Sequence, residues 1–288
     1  MVPTRRALIL LLVLGCSRGI GSAQNPPAAY EGYADLPGVR IWYTDTGGSG
    51  IPVIFLHSAT GTTRSWEPQV AVFSAAGYRC ITYDRRGWGR SLTLPSGPQP
   101  GTAADDLLAL LDYLRIDRAH LVGTAAGGLV SLDFVLSFPD RLRSVVISNN
   151  GGTSVRETAF QEMSGRLLPP EFGSYPVEFR ELSPAYRAAS PDGLGRWIAI
   201  AKSSRQDFSV RPQPVRNPLT KSLLGTIQTP MLVMTGAADL HAPPPMMRMY
   251  AEAIKTSESF VVPEAGHSAH WEQPEIFNRV VLQFIGKH

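Results

Sequence analysis

The stretch His120-Leu121-Val122-Gly123-Thr124-Ala125-Ala126-Gly127-Gly128-Leu129-Val130 decides how this chain is read. Leu121-Val122 is a short apolar strand, and Ala126 to Phe138, stopped by Pro139, has the character of a helix. Gly123 and Gly127 stand two positions either side of Ala125 and permit a sharp turn between the two elements. Such a turn lifts its central side chain above the end of a sheet and holds that residue at positive φ. Where the turn carries chemistry, the central residue is Ser, Cys or Asp, whose oxygen or sulfur attacks substrate. Here it is Ala125, which has no attacking atom. Thr124 carries a hydroxyl next door, but neighbouring side chains diverge in a turn, and it is not expected to take over.

Outward from the turn, buried-strand character recurs at Pro52 to Leu56, Tyr78 to Tyr83, Val145 to Ile147, Met231 to Met234 and Ser259 to Val262. Val39 to Tyr43 alternates as a half-exposed strand does. Helical runs fall between them, at Ser65 to Ala76, Thr102 to Leu114 with Asp105 and Asp106 in its first turn, Pro245 to Ile254, and Pro274 to Ile285. Strands alternating with helices imply an α/β fold: a mainly parallel sheet with helices on both faces. From about 153 to 222 the alternation lapses into short helices and loops, which reads as a helical insertion.

If Ala125 marks a catalytic turn, an acid and a base should follow in that chain order, each in a loop after a strand. Asp239, in Gly236-Ala237-Ala238-Asp239, and His267, in Glu264-Ala265-Gly266-His267, meet both conditions. His267 would exchange a proton near neutral pH and Asp239 would set its tautomer. Two backbone N–H groups for an oxyanion are expected from Ala126, at the helix start, and from Ala59, in His57-Ser58-Ala59-Thr60-Gly61. His57, His120, His270 and His288 lack this context and are read as structural or surface residues; His241 is an alternative because it lies near Asp239.

These segments, with Tyr83-Asp84-Arg85-Arg86-Gly87-Trp88-Gly89-Arg90-Ser91 and with Gly266-His267 followed by Glu272 and Pro274, make the chain similar to the α/β-hydrolase superfamily. The resemblance is to its single-domain esterases, lactonases, cofactor-free haloperoxidases and carbon-carbon bond hydrolases, and runs from about Gly38 to the C-terminus. It implies that the insertion is a lid over the pocket. Two departures stand out: Ser58 where the family has Gly after the loop histidine, and Ala125 at the nucleophile position.

At 288 residues and 43% hydrophobic the chain suffices for one large domain with a full core, and 18% charged residues argue against extensive disorder. Residues 1–23 read as a signal peptide, with Arg5-Arg6, a short apolar run and small residues before a cut after Ala23, leaving 24–288 as the α/β-hydrolase domain. Export, periplasmic or secreted, is therefore expected, with a twin-arginine route preferred over lipid anchoring at Cys16. Arg5, Arg6 and Arg18 account for the whole formal charge of +3, so no nucleic-acid partner is implied. The leader is too short to span a bilayer, and Cys80 alone cannot form an internal disulfide after the cut. No metal-ligand spacing, dinucleotide fingerprint or phosphate loop is present, so no cofactor is expected; the partner is a small-molecule substrate.

The insertion bears Phe160, Met163, Leu167, Leu168, Phe172, Tyr175, Tyr186, Trp197 and Phe208, which favour an apolar or aromatic ligand. Arg166, Arg180, Arg187 and Arg196 offer partners for a carboxylate. The leading expectation is an enzyme that uses His267 and Asp239 for general-base chemistry on an ester, lactone or β-diketone, with no acyl-enzyme. The alternatives are a secreted ligand-binding protein with a degenerate site, and a serine hydrolase carrying a Ser-to-Ala substitution.

Overall fold

A computed structural model describes residues 28–94, 101–151, 155–205 and 212–288. The proposed leader, Cys16, the start of the insertion and Phe208 lie outside these residues. The strands are β1 (Tyr30–Leu36), β2 (Val39–Asp45), β3 (Pro52–Leu56), β4 (Arg79–Tyr83), β5 (Leu92–Thr93), β6 (Ala119–Thr124), β7 (Leu142–Ser148), β8 (Met231–Gly236) and β9 (Ser257–Val262). They form one sheet ordered β1-β2-β4-β3-β6-β7-β8-β9, with β5 paired to β2. Pairing is antiparallel at the β1–β2–β4 end and parallel from β4 through β9. The short edge strands β1 and β5 escape the sequence reading: β1 has no long apolar run, and β5 has two exposed residues.

Helices α1 (Glu67–Ala75), α2 (Ala103–Tyr113), α3 (Ala126–Ser137), α9 (Pro244–Ala253) and α11 (Pro274–Ile285) cover the sheet, with α10 (Ala269–Glu272) just before the last of them. Between β7 and β8 lie α4 (Thr158–Leu167), α5 (Val177–Glu181), α6 (Pro184–Ala189), α7 (Pro191–Ser203) and α8 (Lys221–Leu224). Thr102 starts α2 with a capping box: its hydroxyl accepts the Asp105 N–H, and the Asp105 carboxylate accepts the Thr102 N–H.

Strand residues alternate between two cores. Ile54, Leu56, Leu121, Val145 and Ile147 join Leu107, Leu111, Phe134 and Tyr250 of α2, α3 and α9 on one face. Val53, Phe55, Val122 and Val146 meet Trp66, Phe73, Phe277 and Phe284 beside α1 and α11 on the other. Each such side chain, fully buried, contributes about 1.5–3 kcal/mol, which is why strands apolar on both faces sit at the centre. No helix among the described residues is long and apolar enough to cross a membrane.

Candidate active site

The carboxyl ends of four neighbouring strands, β6, β7, β8 and β9, lead into Ala125, Asn149, Asp239 and His267 respectively. Residues far apart in sequence thereby reach one end of the sheet, where open α/β sheets place their sites.

Ala125 stands at φ 48° and ψ −113°, and its N–H donates to the Ser148 carbonyl at 2.8 Å. A β-carbon on Gly127 would meet the Leu56 carbonyl oxygen at 2.1 Å, and one on Gly123 the Ser131 hydroxyl at 2.5 Å. The two glycines let α3 begin hard against β3. Holding a non-glycine residue at this φ costs about 1–3 kcal/mol. Ala125→Gly, despite its freer unfolded chain, is therefore expected to raise stability by about 1 kcal/mol, read as a higher urea midpoint with unchanged slope.

His267 Nδ1 lies 2.9 Å from both oxygens of Asp239. The carboxylate also accepts the Asn149 side-chain N–H (2.8 Å) and the N–H groups of His241 (2.8 Å) and Ala242 (2.9 Å). Burial alone would raise the Asp239 pKa, but His267 and these donors outweigh it and hold the group at about 2. For His267, burial pulls downward, yet Asp239 and then Glu181 raise the pKa to about 9. Glu272 fixes the loop that carries His267, accepting the N–H groups of Gly266 (2.9 Å), Ser268 (3.3 Å) and Ser183 (2.8 Å).

The inserted helices pack directly on this loop. The His267 N–H donates to the Glu181 carbonyl at 2.7 Å. The His241 ring lies 4.4 Å from that of His267, tilted by 43°, and its Nε2 is 3.6 Å from Glu181 Oε1. Donor atoms of Glu181, His241 and His267 all lie within 4.8 Å of one another, so the three could hold a metal ion. Spacing along the sequence hid this group, because three separate elements supply it. With Nδ1 committed to Asp239, only Nε2 of His267 remains for a metal, and a proton transfer would use the same atom.

Ala59 and Ala126 line one small cavity of about 160 Å³. Neither N–H donates to a protein acceptor among the described residues, and that of Ala126 opens the twelve-residue helix α3. The Ala59 carbonyl is held by the indole N–H of Trp88 at 2.8 Å. The Ser58 carbonyl accepts the Gly61 N–H at 3.2 Å and lies 2.6 Å from Nδ1 of the buried His57, whose Nε2 accepts the Arg85 N–H at 3.0 Å. His120 bonds the Ser144 hydroxyl at 2.8 Å and the His270 ring packs 4.5 Å from that of Trp66, while His288 sits against Phe284. A second cavity, about 640 Å³, opens between β2, β4 and α1, and Asp239, His267 and Ala125 line neither it nor the smaller one.

The sequence model of the alpha/beta hydrolase family matches residues 53–280. This chain belongs to the alpha/beta hydrolase family. As a member, it stands among the enzymes of the hydrolase class. A relative from Mycobacterium tuberculosis that carries the name of a non-heme bromoperoxidase, BpoC, is 33% identical over 265 residues, covering 86% of this chain and 98% of the relative. The 2-hydroxy-6-oxo-6-phenylhexa-2,4-dienoate hydrolase of Comamonas testosteroni is 30% identical, covering 87% and 93%. Among solved structures, Est816, described as an N-acyl homoserine lactone degrading enzyme, aligns with a TM-score of 0.70 at 27% identity, covering 88% of this alpha/beta hydrolase and all of that chain.

Glu181, Asn149 and Arg85 escape the sequence reading of the site. Asn149 follows a buried strand and adopts φ 56°, so its place after β7 was the available signal. Glu181 gives no sequence signal, because packing of the insertion alone brings it to His267.

Proposed function

We propose that this alpha/beta hydrolase acts on a small apolar or aromatic carbonyl compound, an ester, lactone or β-diketone, by general-base catalysis without an acyl-enzyme. One observation carries the reading: His267, its Nδ1 fixed by Asp239 and its Nε2 without a protein partner among the described residues, stands at the same end of the sheet as a turn that lacks a nucleophile. Neutral His267 takes a proton from water through Nε2 as the water oxygen bonds to the carbonyl carbon. The carbonyl oxygen becomes an oxyanion that accepts the Ala59 and Ala126 N–H groups, at the positive end of the α3 dipole. As the tetrahedral intermediate collapses, the imidazolium returns its proton to the leaving oxygen or carbon, and Asp239 stabilises the charged ring throughout.

The contact of Glu181 and Ser183 with the His267 loop supports reading the insertion as a lid. The signal-like sequence of residues 1–23 supports an exported enzyme.

The test is the pH dependence of turnover on an activated ester or lactone. His267 is a base only when neutral, and its raised pKa of about 9 keeps it protonated at neutral pH. The rate is therefore expected to climb as pH rises through about 9, above the ordinary histidine range. Glu181→Gln removes the second carboxylate that favours the imidazolium, so the inflection should move to lower pH. A rate that is flat between pH 6 and 10, or an inflection that ignores Glu181, would overturn the proposal. The protonated resting state also favours a second reading, a ligand-binding protein without turnover, which predicts thermal stabilisation by ligands and no hydrolysis at any pH.

A further inference from the structure

Arg85 is a charged side chain buried without a counter-ion. It is 6% exposed, and no carboxylate lies within salt-bridge distance among the described residues. Its Nη2 donates to the Ser58 carbonyl at 3.2 Å, its guanidinium lies 4.3 Å above the Trp88 ring, and its buried Nε has no acceptor. Burial pulls its pKa down to about 10, with Tyr83 opposing the shift and Arg205 adding to it. A buried guanidinium in this state is costly unless an anion meets it.

The neighbouring acids are already satisfied. Asp84 accepts the N–H groups of Thr63 (2.7 Å) and Arg90 (2.8 Å). Asp133 accepts those of Arg216 (2.8 Å) and Asn217 (2.9 Å) and the Asn217 side-chain N–H. Arg85 lines the cavity that Ala59 and Ala126 also line. That cavity, about 160 Å³, has room for about five waters or a small organic acid. Its remaining wall includes Leu129, Val130 and Pro214, which solvate no charge, together with Gln213 and Asp133, whose carboxylate is taken up by the Arg216 and Asn217 donors. Three arginines of the insertion are engaged elsewhere: Arg196 pairs with Glu67 at 2.7 Å, Arg180 donates to the Tyr175 carbonyl, and Arg187 lies over the Phe179 ring.

We propose that Arg85 binds a carboxylate of the substrate, so that this site takes carbonyl compounds bearing a free carboxylate close to the reacting carbonyl. The inference rests on the proposed carbonyl chemistry for its substrate, but the binding it predicts does not require turnover. Two anion sites then share one cavity: the paired amides for the oxyanion that forms, and the guanidinium for the carboxylate that is present throughout. An unchanging charge suits a fixed, always protonated partner, and Arg supplies a forked donor for it.

Calorimetric titration of the purified protein with benzoate, and with its neutral isostere benzamide, tests the binding. Benzoate is expected to bind at least tenfold more tightly than benzamide to the natural protein, and Arg85→Gln should reduce the ratio to below threefold. Arg85→Lys, which keeps the charge but not the fork, should fall between them. In turnover, a 4-nitrophenyl ester of glutaric acid should exceed its methyl-capped counterpart by at least tenfold in kcat/KM, a preference that Arg85→Gln should erase. Equal binding of benzoate and benzamide to the natural protein would overturn the proposal without any variant having to fold. So would a benzoate preference that survives in Arg85→Gln. Absence of turnover on both esters, with benzoate binding intact, would instead count against the catalytic reading and leave the anion site standing.

Discussion

His267→Ala is expected to lower turnover by about 10²- to 10⁴-fold, the usual contribution of a positioned general base. Among the described residues, the neighbouring imidazole is poorly placed to act for it. His241, packed beside the ring, is pulled down to about 3 by burial and by His267, and its Nε2 faces Glu181. Loss of the imidazole does not strip Asp239 bare, because Asn149 and the His241 and Ala242 N–H groups still bond it. The variant should therefore fold, and the loss should appear in kcat more than in KM. Added imidazole should restore part of the rate by entering the space left by the ring. Unchanged kcat in the folded variant would reject the base assignment, whichever substrate is used.

Gly127→Ala is expected to cost at least about 3 kcal/mol, at the upper end of overpacking. The added β-carbon would fall 2.1 Å from the Leu56 carbonyl oxygen and 2.9 Å from that of His57, both backbone atoms of or next to β3. A flexible side chain could swing aside; these carbonyls are held by β3, which pairs with β4 and β6. For a chain of this size such a loss lowers Tm by roughly 6–12 °C. Any relief requires α3 to shift away from β3, which moves the Ala126 N–H relative to Ala59. Calorimetry and the turnover assay should therefore report damage together; a variant within 1 kcal/mol of the natural protein would mean that the turn is looser than its geometry implies.

The strand–turn–helix around Ala125, the strands after it, and the places of Asp239 and His267 were legible because each rests on local pattern. Continuous apolar runs mark strands covered on both faces, and loops after such strands mark one end of a parallel sheet. The positive φ of Ala125 was legible too, since the spacing of Gly123 and Gly127 demands a sharp turn. The edge strands were not, because β1 and β5 bury too little to imprint a pattern.

Arg85 shows the limit from the other side. In sequence it is one of three arginines between Asp84 and Ser91, with nothing to set it apart. In the structure Arg86 pairs with Asp106 at 2.9 Å and Arg90 with Glu31 at 3.0 Å, while Arg85 turns inward to the cavity that Ala59 and Ala126 also line. Of the insertion arginines singled out in sequence as carboxylate partners, Arg196 pairs with Glu67, Arg180 bonds the Tyr175 carbonyl and Arg187 lies over the Phe179 ring.

Sequence alone determined the α/β class, the chain order of Ala125, Asp239 and His267 in loops after strands, and the lack of an attacking atom at Ala125, because periodicity and residue identity are local properties. Tertiary structure decided that Glu181 and His241 meet His267, that Asp239 and Glu181 raise the His267 pKa, and that Arg85 lies buried without a salt bridge among the described residues. Charge balance and burial depend on which distant side chains meet, and packing of the insertion against the sheet's carboxyl end sets those meetings.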